Sequence, residues 1–115
     1  MVQMMVDLEL DDLKREFLAE ADEKVRELQA KLDGETSPES LERLTYLAHQ
    51  LKGSGGSYGF QRISTDAAEL EKAVESLVKE GTRPGIDDRI QKHVFNLRAE
   101  VDRGMKEFAV GAVAR

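Results

Sequence analysis

The chain has 115 residues, of which 40% are hydrophobic and 35% charged, and its formal net charge is −6. We expect a single domain over 1–115, with its core at about 9–108. The negative charge argues against nucleic-acid binding, because phosphate contacts need a basic surface. No apolar run approaches the roughly 20 residues that span a bilayer, and no cysteine is present. We therefore expect a cytoplasmic protein with no nucleic-acid or membrane partner.

The first part of the chain predicts one long amphipathic helix over about 9–32. Acidic residues gather at its start, where negative charge is favoured, and Gly34 is expected to end it as a left-handed cap. Before it, residues 1–6 are mostly apolar and would form either a short extra N-terminal helix or a frayed end. The predicted apolar stripe of the helix is Leu10, Leu13, Phe17, Ala21, Val25, Leu28 and Leu32.

Two further helices are predicted over about 38–58 and 61–79. Ser37 is placed to cap the first of these, and Gly59 to end it. Gly81 is placed to end the other. Their apolar stripes are Leu41, Leu44, Leu47, Ala48, Leu51 and Tyr58 in one, and Ile63, Ala67, Leu70, Val74, Leu77 and Val78 in the other.

A fourth helix is expected to begin at Asp87 or Asp88, after a turn rich in Gly and Pro. Its apolar stripe is Ile90, Val94, Leu97, Val101, Met105 and Phe108, and the small residues at 109–115 are expected to fray. No stretch shows the alternation typical of a strand. Four helices with short connections, each apolar on one side, predict an all-α fold, an antiparallel up-down four-helix bundle. We expect it to be a monomer.

The second helix carries an unusual segment, HQLKGSGGSYG, that begins at His49. Each Gly inside a helix costs about 1 kcal/mol relative to Ala, so packing does not explain the composition. At about 100° per residue, His49 lies more than roughly 100° from the centre of the apolar stripe and points outward. Gly53 and Gly56 share that face, where they would leave room for a docking partner. Lys52 would place a positive charge near the ring.

These residue types suit phosphoryl transfer through histidine. A neutral imidazole is a good nucleophile near pH 7, and Lys52 would partly offset the roughly two negative charges of a phosphoryl group. The sequence offers no phosphate cradle and no Mg²⁺ site, so the partner would supply the catalytic groups. The chain would then be a phosphocarrier that uses no cofactor, not an enzyme. Tyr46, on the same side of the helix, is either a docking contact or a half-buried aromatic residue.

The segment resembles the signature of the histidine phosphotransfer (HPt) domain, H-x-L-K-G followed by small residues and a Gly. The positions that match are His49, Leu51, Lys52, Gly53, Ser54, Gly55 and Gly59, with further likeness at Phe17, Glu20, Ala21 and Leu70-Glu71. The resemblance implies a four-helix bundle that accepts a phosphoryl group on His49. The group would come from a histidine kinase or a response-regulator receiver domain and pass to a receiver aspartate. In chemotaxis-kinase members an acid hydrogen-bonds the other ring nitrogen, which implies that role for Glu71.

Two other functions stay open. A helical adaptor that binds a partner without chemistry would show a similar pattern, and so would the substrate domain of a chemotaxis-type histidine kinase. The Gly-Ser run follows no strand and lacks Gly-Lys-Ser/Thr, so it does not indicate nucleotide binding. His93 has no such motif beside it and is expected to lie at the edge of the core without a functional role. Neither histidine has a convincing metal-ligand spacing, so no metal site is expected.

Overall fold

The structure is a computed structural model that describes residues 2–34, 37–81 and 85–113. These residues form four α-helices, α1 (Val2–Asp33), α2 (Pro38–Ser57), α3 (Gln61–Glu80) and α4 (Ile86–Val113). Both α1 and α3 pack against α2 and α4, so the helices form a square in chain order. The short connections make neighbouring helices antiparallel. The predicted all-α up-down bundle is confirmed. None of the described helices is long and apolar enough to cross a membrane.

The start of α2 is fixed by a capping box. The Ser37 hydroxyl accepts from the Ser40 backbone N–H at 3.1 Å, and the Ser40 hydroxyl accepts from the Ser37 N–H at 2.9 Å. At the end of α1 the prediction of a left-handed cap is wrong, because Gly34 does not have a positive φ. Its N–H continues the helical pattern and donates to Ala30 O at 3.2 Å. The connection that begins there therefore needs no left-handed residue at position 34.

The α2–α3 turn is short and well defined. Gly59, at φ +84°, donates its N–H to Gly56 O, and the next N–H, that of Phe60, donates to Gly55 O at 2.8 Å. This pair of bonds is the Schellman arrangement that closes a helix on a left-handed glycine. Gly81, at φ +79°, closes α3 as predicted. The tight turn brings the start of α3 directly against the end of α2.

The first and last helices, α1 and α4, are longer than the sequence predicted. The backbone of α1 is continuous from Val2, so the apolar lead forms no separate short helix. At the other end of the chain α4 continues to Val113, through positions expected to fray. The expectations for Met1, Ala114 and Arg115 lie outside the described residues. Because α1 has 32 residues and α2 has 20, α1 is about 18 Å longer at 1.5 Å per residue.

Most of the predicted stripes form the core, with four exceptions. Leu10 and Leu13 are 43% and 44% exposed, and Met105 is 37% exposed. Phe17 is the first buried residue of the α1 stripe and stacks on Tyr58 and Phe60 of the α2–α3 turn, so Leu10 and Leu13 lie beyond that turn. Val78 is 59% exposed because its neighbour Leu77 takes the position against the core. Leu18 and Ala73, which the stripes did not include, are buried.

Candidate functional site

His49 stands on the outer side of α2 and touches α3 through one ring nitrogen. Its side chain is 67% exposed, as the spacing around α2 predicted. Nδ1 lies 3.0 Å from Oε2 of Glu71 on α3. Since this contact uses Nδ1, Nε2 is the ring nitrogen to which the described residues offer no hydrogen bond. The structure therefore brings together the histidine and the acid that the resemblance implied.

Glu71 also binds Lys52, so the three side chains form one cluster. The Lys52 Nζ donates to Glu71 Oε1 at 2.7 Å, while Oε2 faces His49. The Glu71 side chain is only 13% exposed. The hydrogen bond from Lys52 holds the pKa of Glu71 below its usual value, outweighing the effect of burial, and the contact with His49 adds to the lowering. Glu71 is therefore a carboxylate at neutral pH with a fixed orientation.

The contact made by Lys52 differs from the sequence expectation. The spacing placed its charge beside the imidazole, whereas its ammonium group reaches across to α3 and binds the carboxylate behind the ring. The Lys52 backbone is tied to α3 as well, because its carbonyl accepts from the Ser64 hydroxyl at 2.8 Å. Ser64 was not singled out in the sequence, since a hydroxyl on a helix surface carries no signal of its partner.

The glycines of α2 have two different environments. A Cβ added at Gly53 would meet no atom within 4 Å, and one at Gly56 would make only ordinary contact with the Ser64 hydroxyl at 3.5 Å. Gly55 is buried, and a Cβ there would lie 3.1 Å from the Ser64 N and 3.3 Å from Ile63 Cγ2. The close packing of α3 against α2 therefore favours glycine at position 55, because a Cβ there would push against atoms of α3. No contact within the described residues explains why position 53 is a glycine.

Tyr46 lies one helical turn before His49 and is half exposed. Its hydroxyl accepts a hydrogen bond from Gln50 Nε2 at 2.6 Å. The guanidinium of Arg43 lies over its ring, 5.3 Å from the centroid, and itself binds Glu27 of α1. The aromatic ring therefore belongs to the α1 side of α2, whereas Glu71 supports His49 from the α3 side.

The other histidine lies elsewhere. His93 on α4 contacts Asp66 of α3, with Nδ1 3.1 Å from Oδ1, and its side chain is 15% exposed. This agrees with the expected position at the edge of the core. Within 2–34, 37–81 and 85–113, no group of three or more His, Cys, Asp or Glu residues could hold a metal ion. The candidate site can therefore present one anchored imidazole to a partner, with a buried carboxylate and an ammonium group behind it.

The chain also matches a family of known proteins. A family model described as "Hpt domain" matches residues 12–105, well over half of the chain. The matched range contains His49, Lys52 and Glu71, together with all of α2 and α3. No curated protein and no solved structure matches the chain significantly. By its family match, its four-helix bundle and its exposed histidine, the chain belongs to the Hpt domain family.

Proposed function

We propose that this chain relays a phosphoryl group through the Nε2 atom of His49. Membership of the Hpt domain family makes it a histidine phosphotransfer module of a phosphorelay. The observation that carries the assignment to His49 is the 3.0 Å contact between its Nδ1 and Glu71. Because Nδ1 is anchored on the protein, Nε2 is the nitrogen available to a partner, on a side chain that is 67% exposed.

The proposed reaction requires no proton to leave the attacking atom. With Nδ1 donating its proton to Glu71, Nε2 carries the lone pair of the neutral ring. Nε2 attacks the phosphorus of an aspartyl phosphate on a receiver domain. The N–P bond forms while the P–O bond breaks, and the aspartate carboxylate leaves with the electron pair. Transfer from His49 to a second receiver aspartate reverses these bond changes.

Glu71 stabilises the ring after it has accepted the phosphoryl group. Phosphorylation at Nε2 while Nδ1 keeps its proton makes the imidazole cationic. The Glu71 carboxylate accepts the hydrogen bond from that cation, and such charge-assisted hydrogen bonds are about twice as strong as neutral ones. Its depressed pKa keeps it ionised for this task. Glu71 is thus a positioning residue that acts through the ring of His49.

Lys52 acts mainly on Glu71 in this proposal. Its ammonium group holds Oε1 at 2.7 Å, which fixes the carboxylate and keeps it charged. The same positive charge would offset part of the roughly two negative charges that a phosphoryl group brings. The Mg²⁺ ion and the remaining catalytic groups belong to the partner. The chain itself is a phosphocarrier.

The face around His49 would be the docking surface for that partner. At Gly53 the surface is open, so a receiver domain could approach the backbone of α2 closely. Gly56 would widen the same opening toward α3. Tyr46 would give the partner an aromatic contact on the other side of the ring, because half of its surface is exposed.

Hpt domains interact with receiver domains and with histidine kinases. The His49–Glu71 contact favours one particular context, the substrate domain of a chemotaxis-type kinase, because an acid at this position resembles the members of that group. In that context the kinase would phosphorylate His49 and a receiver would accept the group. The monomeric state and the cytoplasmic location stay predictions.

The chain has two histidines, and replacing each of them in turn identifies the residue that is phosphorylated. The wild type, His49→Gln and His93→Gln would each be incubated with a phosphorylated receiver domain. We expect acid-labile, base-stable phosphate on the wild type and on His93→Gln, and none on His49→Gln. The His93 variant is the matched control, since it also removes one imidazole. Equal labelling of His49→Gln and the wild type would rule out the proposal, and a failure of all three to accept phosphate from any receiver or kinase would favour the adaptor.

A further inference from the structure

A second polar cluster lies between α3 and α4, away from His49. Asp66 is five residues before Glu71, which places it about 140° around α3. Its Oδ1 lies 3.1 Å from His93 Nδ1 and accepts from Asn96 Nδ2 at 3.3 Å. The side chains of Asp66 and His93 are 19% and 15% exposed. The cluster is therefore sheltered from water, and the proposed phosphotransfer makes no use of it.

Glu100 lies one helical turn after Asn96 and two turns after His93, on the face of α4 that meets Asp66. At this position each of the two carboxyl groups acts on the pKa of the other. The Oε2 atom of Glu100 is buried, and no hydrogen-bond donor of the described residues reaches it. Two ionised carboxylates have no proton to share and cannot hydrogen-bond each other. If Glu100 is protonated, its O–H donates to Asp66 and the buried oxygen needs no other donor. A single proton between the two carboxyl groups thus accounts for the buried oxygen that has no other donor.

The charged groups around Glu100 come from the two helices that form this seam. Arg62 of α3 and Arg103 of α4 are the cations that act on its carboxyl group, and both favour the ionised form. α1 also packs against α4, but Arg98, which lies about 200° around α4 from Glu100, binds Asp22 there. The two arginines lower the pKa of Glu100, whereas burial and the neighbouring Asp66 raise it.

We propose that Asp66 and Glu100 share one proton, and that this proton holds α3 against α4 at neutral pH. His93 and Asn96 donate to the Asp66 oxygen and keep that carboxylate charged, while Glu100 keeps the proton. When the proton is lost in alkaline solution, two carboxylates face each other across the seam. The bundle then becomes less stable without any change at His49.

The stability of the bundle changes with pH because the pKa values of Glu100 and Asp66 differ between the folded and the unfolded chain. Burial, followed by the contact with Asp66, raises the pKa of Glu100 from 4.5 to about 8, whereas hydrogen bonds from Glu100, His93 and Asn96 lower that of Asp66 in spite of its burial. Between pH 4.5 and about 8 the folded chain binds a proton on Glu100 that the unfolded chain has released. Because of this one proton, each unit of pH increase within the range lowers the folding equilibrium constant by up to about tenfold. Above about pH 8 the folding equilibrium constant falls no further from this cause.

Urea unfolding of the full chain between pH 5 and 9 tests the proposal with Glu100→Gln, which keeps a hydrogen-bond donor but cannot titrate. Relative to this variant, we expect the folding equilibrium constant of the wild type to fall with rising pH by up to about tenfold per unit and to level off above about pH 8. The matched control is Glu107→Gln, which removes an exposed carboxylate from the same cavity wall and should follow the wild type.

A difference between wild type and Glu100→Gln that is constant at every pH would overturn the proposal, because packing alone gives a constant difference. Should Glu100→Gln fail to fold, the carboxyl carbon of Glu100 can be titrated by NMR in the wild type. We expect its midpoint to be near 8, and in Asp66→Asn to be lower. A midpoint between 4 and 5 in the wild type would show that no proton is shared.

Discussion

Replacing Gly53 with alanine would separate the stability of α2 from the access of a partner to His49. Gly53 is an exposed residue inside the helix, four residues after His49 and on the same face. A Cβ at this position meets nothing within 4 Å. The substitution therefore adds one methyl group to the proposed docking surface and disturbs no contact within the domain.

The expected gain in stability follows from helix propensity alone. Alanine is favoured over glycine inside a helix by about 1 kcal/mol, so Gly53→Ala should raise the free energy of unfolding by up to about that amount. Gly55→Ala gains the same propensity, but its Cβ would lie 3.1 Å from the Ser64 N and 3.3 Å from the Phe60 O. Overpacking of this kind typically costs about 1–3 kcal/mol. We therefore expect Gly55→Ala to be about 0–2 kcal/mol less stable than the wild type.

Two measurements on each variant test the reasoning. Urea unfolding at pH 7 gives the stability, and the initial rate of phosphoryl transfer from a phosphorylated receiver gives the access to His49. For Gly53→Ala we expect higher stability with slower transfer, because the new methyl group stands where the receiver must approach. Gly34→Ala, at the far end of α1, is the control for transfer. Its Cβ would make one ordinary contact, at 3.5 Å from the Ala30 O.

The combination of results decides which part of the reasoning fails. Transfer at the wild-type rate by Gly53→Ala would refute the proposal that this glycine provides clearance for the partner. A loss of stability in the same variant would instead contradict the open surroundings of Gly53. Slower transfer by Gly34→Ala would mean that the assay responds to general changes in the bundle.

Two further predictions concern the contact of Glu71 with the His49 ring and the packing of α4 against α1. Glu71→Gln should transfer phosphate more slowly and should be less stable than the wild type at pH 7. Because the pKa of Glu71 is depressed, the contribution of its carboxylate to the free energy of unfolding is present above pH 4.5 and is lost as the pH falls further. A stability gap that stays constant in urea titrations from pH 7 to pH 3.5 would contradict this. Gly104→Ala should make the bundle about 0–2 kcal/mol less stable. Its Cβ would lie 2.8 Å from Cδ2 of the buried Leu18, and the overpacking offsets the gain in helix propensity. A raised urea midpoint would mean that Leu18 can turn aside at no cost.

The local signals in the sequence predicted most of the fold. Ser37 caps α2, Gly59 ends it in a left-handed conformation and Gly81 closes α3, since each of these residue types has its own backbone requirement. Helical spacing also identified most of the core. It failed at Leu10 and Leu13, because a periodic stripe shows which side of a helix is apolar but not where the neighbouring helices end.

The candidate site was predictable only in part. The outward direction of His49 follows from spacing within one helix, and the structure agrees with it. The contact of Glu71 with the ring came from the resemblance, because positions on two helices cannot be related by spacing. The same limit explains why Lys52 was expected beside the ring when it binds Glu71 instead. The Asp66–Glu100 pair depends on how α4 is rotated against α3, which no local pattern encodes.

The proposed nucleophile, His49, and the residue proposed to orient it, Glu71, stand on different helices, so in this proposal the reactivity of the ring depends on the alignment of α2 with α3. Sliding one helix past the other by a single residue moves it about 1.5 Å, which is enough to break the 3.0 Å contact between His49 and Glu71. Ser64, the buried Gly55 and the tight turn at Gly59 all oppose such a slide. A partner that shifted α3 on binding could therefore turn phosphoryl acceptance on or off without touching the imidazole.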